Sequence, residues 1–305
     1  MDSCDTSNWL VIRTLRIDAP AKINLGLEIL GQRDDGFHEI RSILAMIELH
    51  DTLEFRLDEH STGTIHFEPD SINIDPIDNL ISGAIAAFNP FAETAVTPDI
   101  TVRKRIPVAS GLGGASSDCA ATLIAMNHFA DNPLNFDQLS QIAAGLGSDI
   151  PFFLGSPTAL VSGRGTEIRP ISNPKGYVVL FSPVSSIRDK TRTIYHALRE
   201  QDFSDGSRVE RQVDKLQVSG ELDQTLLGNA FTNALSAVLP ESDVIVLSAT
   251  AAGVTPIFLS GAGPTHYALL GTFEESQRAV EKLAGSLAGR ADIITTTFRR
   301  QGIVA

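Results

Sequence analysis

The stretch Pro107–Asp118, PVASGLGGASSD, constrains this chain more than any other. Gly111, Gly113 and Gly114 stand directly before two hydroxyls and a helix-like run, CAATLIAMNHFA. Glycine lets backbone N–H groups approach an anion closely. A helix that starts beside them aims its free N–H groups and positive dipole end at the same point. Upstream, Asp99–Arg105 alternates apolar and polar residues as a strand does. Strand, glycine loop and helix is the order a phosphate cradle needs. A Ser-capped glycine turn is the plainer alternative, because such turns before helices are common.

Composition narrows the partners. With 24 Lys and Arg against 37 Asp and Glu, the net charge is −13, which argues against nucleic acid as a partner. No apolar run approaches the roughly 18 residues of a membrane span, so no membrane partner is expected. The N-terminus, MDSCDTSNWLVIRTLRIDAP, lacks the basic-then-apolar order of a signal peptide. Residues 1–12 read as a short extension, and the expected location is cytoplasmic. Cys4 and Cys119 form no C-x-x-C pair and read as free thiols.

The remainder alternates strand and helix signals. Leu15–Leu30 has strand periodicity at Ile23, Leu25, Leu27 and Ile29, with Lys22 inside the pattern. Alone, Lys22 is an exposed strand lysine. GQRDDG forms a turn, and FHEIRSILAMIELHDTLEFRL a second strand with Phe37 and His38 at its entry. GTIHFEP is a third. Asp78 or Asn79 caps a helix through Leu80, Ile81, Ile85 and Phe88. Asn135–Gln138 is a capping box for a helix through Leu139, Ile142 and Leu146, stopped by Gly145 and Gly147. Asp149 follows, between that helix end and an apolar run; alone it is a turn residue. TALVSGRGTEIRPI is a strand pair turning at Gly163 and Gly165.

The turn Asn173–Gly176 marks a boundary between domains 1–172 and 173–305. Beyond it, YVVLFSP is a buried strand, and residues 204–217 a solvated connection or surface helix. LLGNAFTNALSAVL and VIVLSATAAG read as helices. PIFLSGAGPTHYALLG is a strand, a glycine turn and a strand; EESQRAVEKLAGSLAG and IITTTFR close the chain as helix and strand. The class is α+β.

The best-known phosphate motifs are absent. There is no G-x-x-x-x-G-K-[ST] loop. The dinucleotide fingerprint fails at its third glycine, where Ser116 stands. Neither H-R-D nor D-F-G occurs, nor H-E-x-x-H or a zinc pattern.

Three segments instead resemble the GHMP small-molecule kinases. PAKINLGLEILGQRDDGFHEIRSI is similar to their first motif, and PVASGLGGASSDCAA to their second, P-x-x-x-G-L-G-G-G-S-S-D-A-A. LSGAGPTHYAL is similar to their third. The motifs lie in family order between Ala19 and Ala268. The D-G-x-H-E and G-S-D-I-P-F-F pieces are similar to one branch, which phosphorylates the 2-hydroxyl of a cytidine-diphosphate-linked methylerythritol in the non-mevalonate isoprenoid pathway. The resemblance implies a two-domain α+β fold with the active site in the interdomain cleft, ATP as co-substrate, Mg²⁺, and a small-molecule partner. It implies a monomer or weak homodimer.

Residue by residue, the resemblance implies Lys22 and Asp149 as the catalytic pair. Asp149 would be the general base. Lys22 would favour the developing alkoxide and offset charge on the moving phosphoryl group. Pro107, Val108, Ala109, Ser110, Gly111, Leu112, Gly113, Gly114, Ala115, Ser116 and Ser117 would wrap the ATP phosphates. Ser116 or Ser117 would help hold Mg²⁺. Asn79 and Lys104 match positions near the adenosine. Asn24 matches a position near the substrate hydroxyls, His38 one reading the cytosine edge, and Phe37 its stacking partner. Ala109 and Ser110 stand where glycine or alanine is usual, Phe37 replaces a tyrosine, and Ala115 replaces a glycine. A helical position 115 would favour alanine by about 1 kcal/mol. The second half of the cytosine site belongs to Ser182–Tyr195. The alternatives are a GHMP kinase for another alcohol, such as homoserine or mevalonate, and a non-catalytic nucleotide-binding homologue. The presence of both Lys22 and Asp149 weighs against the latter.

Overall fold

The run Ile43–Ile47 is apolar without a break, which suits a strand covered on both faces. A computed structural model, describing residues 12–72, 74–75, 79–184 and 190–304, shows it so. β1 (Arg13–Gln32) and β2 (His38–Leu57) form a long antiparallel pair. β3 (Ile65–Glu68) runs parallel to β4 (Asp99–Arg103), and β4 pairs with β2. β5 (Thr158–Gly163) pairs with the other end of β2, and β6 (Glu167–Pro170) with β5. The second sheet has the order β10–β7–β9–β8, from β7 (Tyr177–Pro183), β8 (Phe258–Leu259), β9 (His266–Leu270) and β10 (Ala291–Thr297). The chain passes from one sheet to the other at the turn 173–176.

Helices cover the outer faces. α1 (Leu80–Phe88), α2 (Gly114–Phe129), α3 (Phe136–Leu146) and α4 (Ile150–Leu154) share a core with Leu44, Met46 and Phe55 of β2. Ile43, Ala45 and Ile47 point the other way. They join Ala21, Ile23 and Leu25 of β1, and Val178, Leu180 and Tyr267 of the second sheet, in one apolar layer. α5 (Lys190–His196) packs through Ile194 with Leu27 and Ile29 of β1, and α6 (Ser207–Ser219) flanks this layer. α7 (Thr232–Val238) packs with Leu27 and Ile29. α8 (Asp243–Ala251) and α9 (Phe273–Leu287) cover the far face of the second sheet through Val179 and Phe181.

The structure departs from the sequence reading in three places. α2 begins at Gly114, so Ser116 and Ser117 lie in its first turn. α6 is not simply solvated: Val209, Val213 and Leu216, at helical spacing, enter the layer between the sheets. The helix expected over LLGNAFTNALSAVL is only α7. Its first half bonds to β1 instead, through Leu27 N to Gly228 O and Ala230 N to Leu27 O. Asn79 is the cap of α1, accepting from Ile81 N and Ser82 N. Asp78, Cys4 and the extension up to residue 11 lie outside the described residues. Cys119 is a buried free thiol. Among the described residues no single helix is long and apolar enough to cross a membrane.

Candidate active site

The glycine loop is built by close approach. Gly113 caps α2 at φ 76°, and Gly111 sits at φ 87°. A Cβ on Gly111 would lie 2.5 Å from Ser260 O and 2.7 Å from Gly263 O, so only glycine lets the loop lie against the β8–β9 turn. Two further bonds lace them together: Thr265 N donates to Ser110 O at 3.1 Å, and Ser260 Oγ to Gly111 O at 3.1 Å. β1 holds the other side, Lys22 N donating to Leu112 O at 2.8 Å. Ala109 adopts φ 55°, a left-handed conformation that costs an L-residue about 1 kcal/mol. Of the altered positions, the strained one is therefore 109. Position 115 is helical, as expected.

Lys22 and Asn24 are two apart on β1 and share a face. Lys22 Nζ donates to Asn24 Oδ1 at 2.8 Å and lies 3.7 Å from Asp149 Oδ2. Asn24 Oδ1 also accepts from Gly261 N at 2.8 Å, and Asn24 Nδ2 donates to Ser42 Oγ at 2.8 Å. Tyr267 Oη donates to Asn24 O at 2.7 Å. The lysine is thus fixed by a network from both sheets. Asp149 stands at the start of α4, without a capping bond; its side chain is 43% exposed against 5% for Lys22. A half-exposed carboxylate beside a buried ammonium can meet an incoming hydroxyl.

A cavity of about 1120 Å³ joins these parts. Single-ligand pockets run to roughly 1,000 Å³, so this one lies at the upper end of that range. Lys22, Asn24, Phe37, His38, Asn79, Lys104 and Asp149 all border it, with most of the loop, including Ser116. Leu112 and Ser117 do not. Leu112 joins the layer between the sheets, and Ser117 is buried under the loop with its hydroxyl unpartnered.

Lys104 and Asn79 have structural work of their own. Lys104 Nζ lies between Asp51 Oδ2 at 2.5 Å and Asp118 Oδ2 at 2.7 Å. Burial works against its charge, yet Asp118 and Asp51 outweigh it and raise its pKa. One cation cannot balance two buried anions. Burial, with the Asp51 charge beside it, pushes Asp118 up to about 7 despite Lys104. Asp51 Oδ1 also accepts from Arg105 N and Ile106 N, which ties the entry of the loop to β2. Asn79, besides capping α1, donates to Asp75 O at 2.7 Å.

The opposite end of the cavity is aromatic. The His38 ring is 5.1 Å from Tyr195 and 6.1 Å from Phe203, and Tyr195 meets Phe231 edge-on at 4.7 Å. Burial lowers the pKa of His38, which favours a neutral imidazole able to both donate and accept. Burial, with Asp149's charge nearby, raises Tyr195 to about 12, so it stays a phenol. Phe37 is 50% exposed under the Arg164 guanidinium, 5.4 Å from the ring centroid. Sequence reasoning missed Tyr195, Phe231, Arg164 and Lys190. Tyr195 falls in the stretch expected to complete the pocket, but no local pattern distinguished it there. Phe231 comes from a segment read as plain helix, and only the fold brings it to His38.

Comparison with known proteins identifies the family. Residues 79–156 match the family model for the GHMP kinases N terminal domain. A 4-diphosphocytidyl-2-C-methyl-D-erythritol kinase of Dehalococcoides mccartyi is 34% identical over 258 residues, covering 84% of this chain and 89% of the relative. One from Listeria monocytogenes is 34% identical over 278 residues, covering 89% and 92%. This chain belongs to the 4-diphosphocytidyl-2-C-methyl-D-erythritol kinase family. A crystal structure titled as 4-(cytidine 5'-diphospho)-2C-methyl-D-erythritol kinase superposes with a TM-score of 0.76 at 28% identity, covering 93% of this chain and 99% of that one. A homoserine kinase from Cytophaga hutchinsonii shares the fold at a TM-score of 0.70 and 18% identity. The family is one of ATP-dependent kinases, so the loop at the N-terminus of α2 belongs to a phosphotransferase.

Proposed function

We propose that this chain transfers the γ-phosphoryl group of ATP to the 2-hydroxyl of 4-diphosphocytidyl-2-C-methyl-D-erythritol, supplying the non-mevalonate isoprenoid pathway. The observation that carries the reading is the Lys22–Asp149 pair, which stands in one cavity with the glycine loop and the His38–Tyr195 pocket. Asp149 accepts the hydroxyl proton as the oxygen attacks phosphorus. Lys22, held by Asn24, stabilises the forming alkoxide and the charge on the phosphoryl group. Phosphoryl transfer asks mainly for such positioning and charge.

The loop Pro107–Ser116 takes the phosphates with its N–H groups and the α2 N-terminus. Asn79 and Lys104 border the nucleoside, Lys104 from within its ion-pair cluster. His38 reads the cytosine edge, and the base lies between the rings of Phe37 and Tyr195. Asn24 borders the acceptor hydroxyls. Among the described residues no three His, Cys, Asp or Glu side chains gather as a metal cage. Mg²⁺ suits the site all the same, since it usually keeps several waters and is bound in part through substrate phosphates rather than by an all-protein cage. The Ser116 hydroxyl, on the cavity wall, would hold it, and the ion would offset phosphate charge. The chain works in the cytoplasm as a monomer or weak homodimer, and its domains meet near Asn173.

A coupled ATPase assay over a panel of alcohols tests the proposal. Turnover is expected with the cytidylylated methylerythritol and not with homoserine or mevalonate. Turnover of another alcohol alone would overturn it.

A further inference from the structure

Lys190 borders the cavity and has no task in this scheme. Lys190 is the first residue of α5 and is 9% exposed. Its ammonium donates to Ala109 O at 2.8 Å and to Gly263 O. The first carbonyl belongs to the phosphate loop and the second to the β8–β9 turn. Lys190 thus ties the two glycine motifs together from the cavity side. An ammonium has three donors, and these bonds use two.

Among the described residues, no anion acts on Lys190. Buried charges are normally paired. Lys22 has Asp149; Lys104 has Asp51 and Asp118. Among the described residues Lys190 has no carboxylate partner, and the charge that acts on it is that of Lys22. Burial and Lys22 together pull it down to about 8. A cation enclosed by carbonyls and a second cation is a costly arrangement until an anion enters. The entering anion lies on the loop N–H groups and beside Lys22, where polyphosphate belongs.

We propose that Lys190 is a phosphate-binding residue of the transfer site, giving its third N–H to the terminal phosphates of the nucleotide while the other two hold the loop against the turn. The identity of the nucleotide rests on the kinase reading above. Lys22 then faces the attacking oxygen, and Lys190 faces the phosphate chain. As a compact point charge, Lys190 suits oxygens that shift during transfer. The other ionisable groups bordering the cavity are Lys22, His38, Lys104, Asp118, Asp149, Arg164, Arg192, Tyr195 and His196.

Calorimetric titration of ATP into the full chain, at pH 7 and pH 9.5, tests the assignment in the wild type, K190M and K190R. The wild type is expected to bind ATP several-fold more weakly at pH 9.5, where the free ammonium loses its proton. K190R stays charged at both pH values and should show no such loss. K190M should bind at least tenfold more weakly than wild type at pH 7, with a flat profile. A merely structural tie predicts no pH contrast between wild type and K190R, and that result would overturn the proposal. So would wild-type affinity in K190M. Should K190M fail to fold, the comparison of wild type with K190R decides. A wild-type protein that binds no ATP at either pH would instead overturn the kinase reading, so the two failures are distinguishable.

Discussion

The Lys22–Asp149 pair sets the expectations at the level of single residues. Asp149→Asn keeps the shape of the side chain and removes the proposed base. Its kcat should fall about 10²–10⁴-fold, the usual worth of general-base catalysis, with ATP affinity retained. Lys22→Met removes the charge held by Asn24 and should lower kcat with little change in the KM for the acceptor. His38→Ala strips one edge from the base pocket. The unpaired acceptor edge costs on the order of 1–2 kcal/mol, so the acceptor KM should rise roughly tenfold while kcat holds. Steady-state kinetics separates the three. Lys22, Asn24 and His38 were legible because each sits in a short motif on one strand or at its entry. Tyr195 and Lys190 were not, because their neighbours are Asp149, Ala109 and Gly263, far away in sequence. A single sequence carries no trace of a contact that only tertiary structure makes.

The glycine loop is an element that exists by contact with another element. Gly111→Ala would drive a Cβ into two backbone carbonyls at a positive φ. Strain and overpacking together should cost about 2–4 kcal/mol, read as a lower thermal midpoint, with ATP binding lost in the same variant. Beneath the loop, the Asp51–Lys104–Asp118 cluster anchors the start of α2 and is pH-sensitive. The folded pKa of Asp118 is raised from an ordinary carboxylate near 3.8 to about 7. Its contribution is therefore fully present below about pH 4 and is lost as pH rises through about 7. Asp118→Asn should flatten the stability profile across that window in urea titrations at stepped pH. Capping signals served well for such elements: the boxes at Asn79 and Asn135 are both in place. Amphipathicity served less well. α6 reads as polar because most of its residues are, yet three apolar side chains bury it. The first half of the expected helix at 226–239 gave up helical bonds for pairing with β1, a trade that local propensity does not reveal.

At the level of the whole molecule, the long pair β1–β2 links everything. One face of β2 supports the helices that carry the glycine loop and Asp149, and the other packs on the second sheet. Selectivity is a property at this scale, since the aromatic pocket draws on β2, α5 and the segment before α7. A triple change of His38, Tyr195 and Phe231 to alanine should erase preference for cytidylylated over plain polyols while ATP binding persists, as a competition assay would show. The α+β class was legible from alternating strand and helix signals, whereas the stacking of two sheets through one layer was not, since it depends on which faces of distant strands meet. That layer, with Ile23, Ile43 and Ala45 on one side and Val178, Leu180 and Tyr267 on the other, bears on how the protein comes apart. Neither sheet can lose its structure without exposing the other's inner face. Heating should therefore melt the chain in one cooperative step, with calorimetric and van't Hoff enthalpies in agreement, although the turn at Asn173 divides its strands into two sheets.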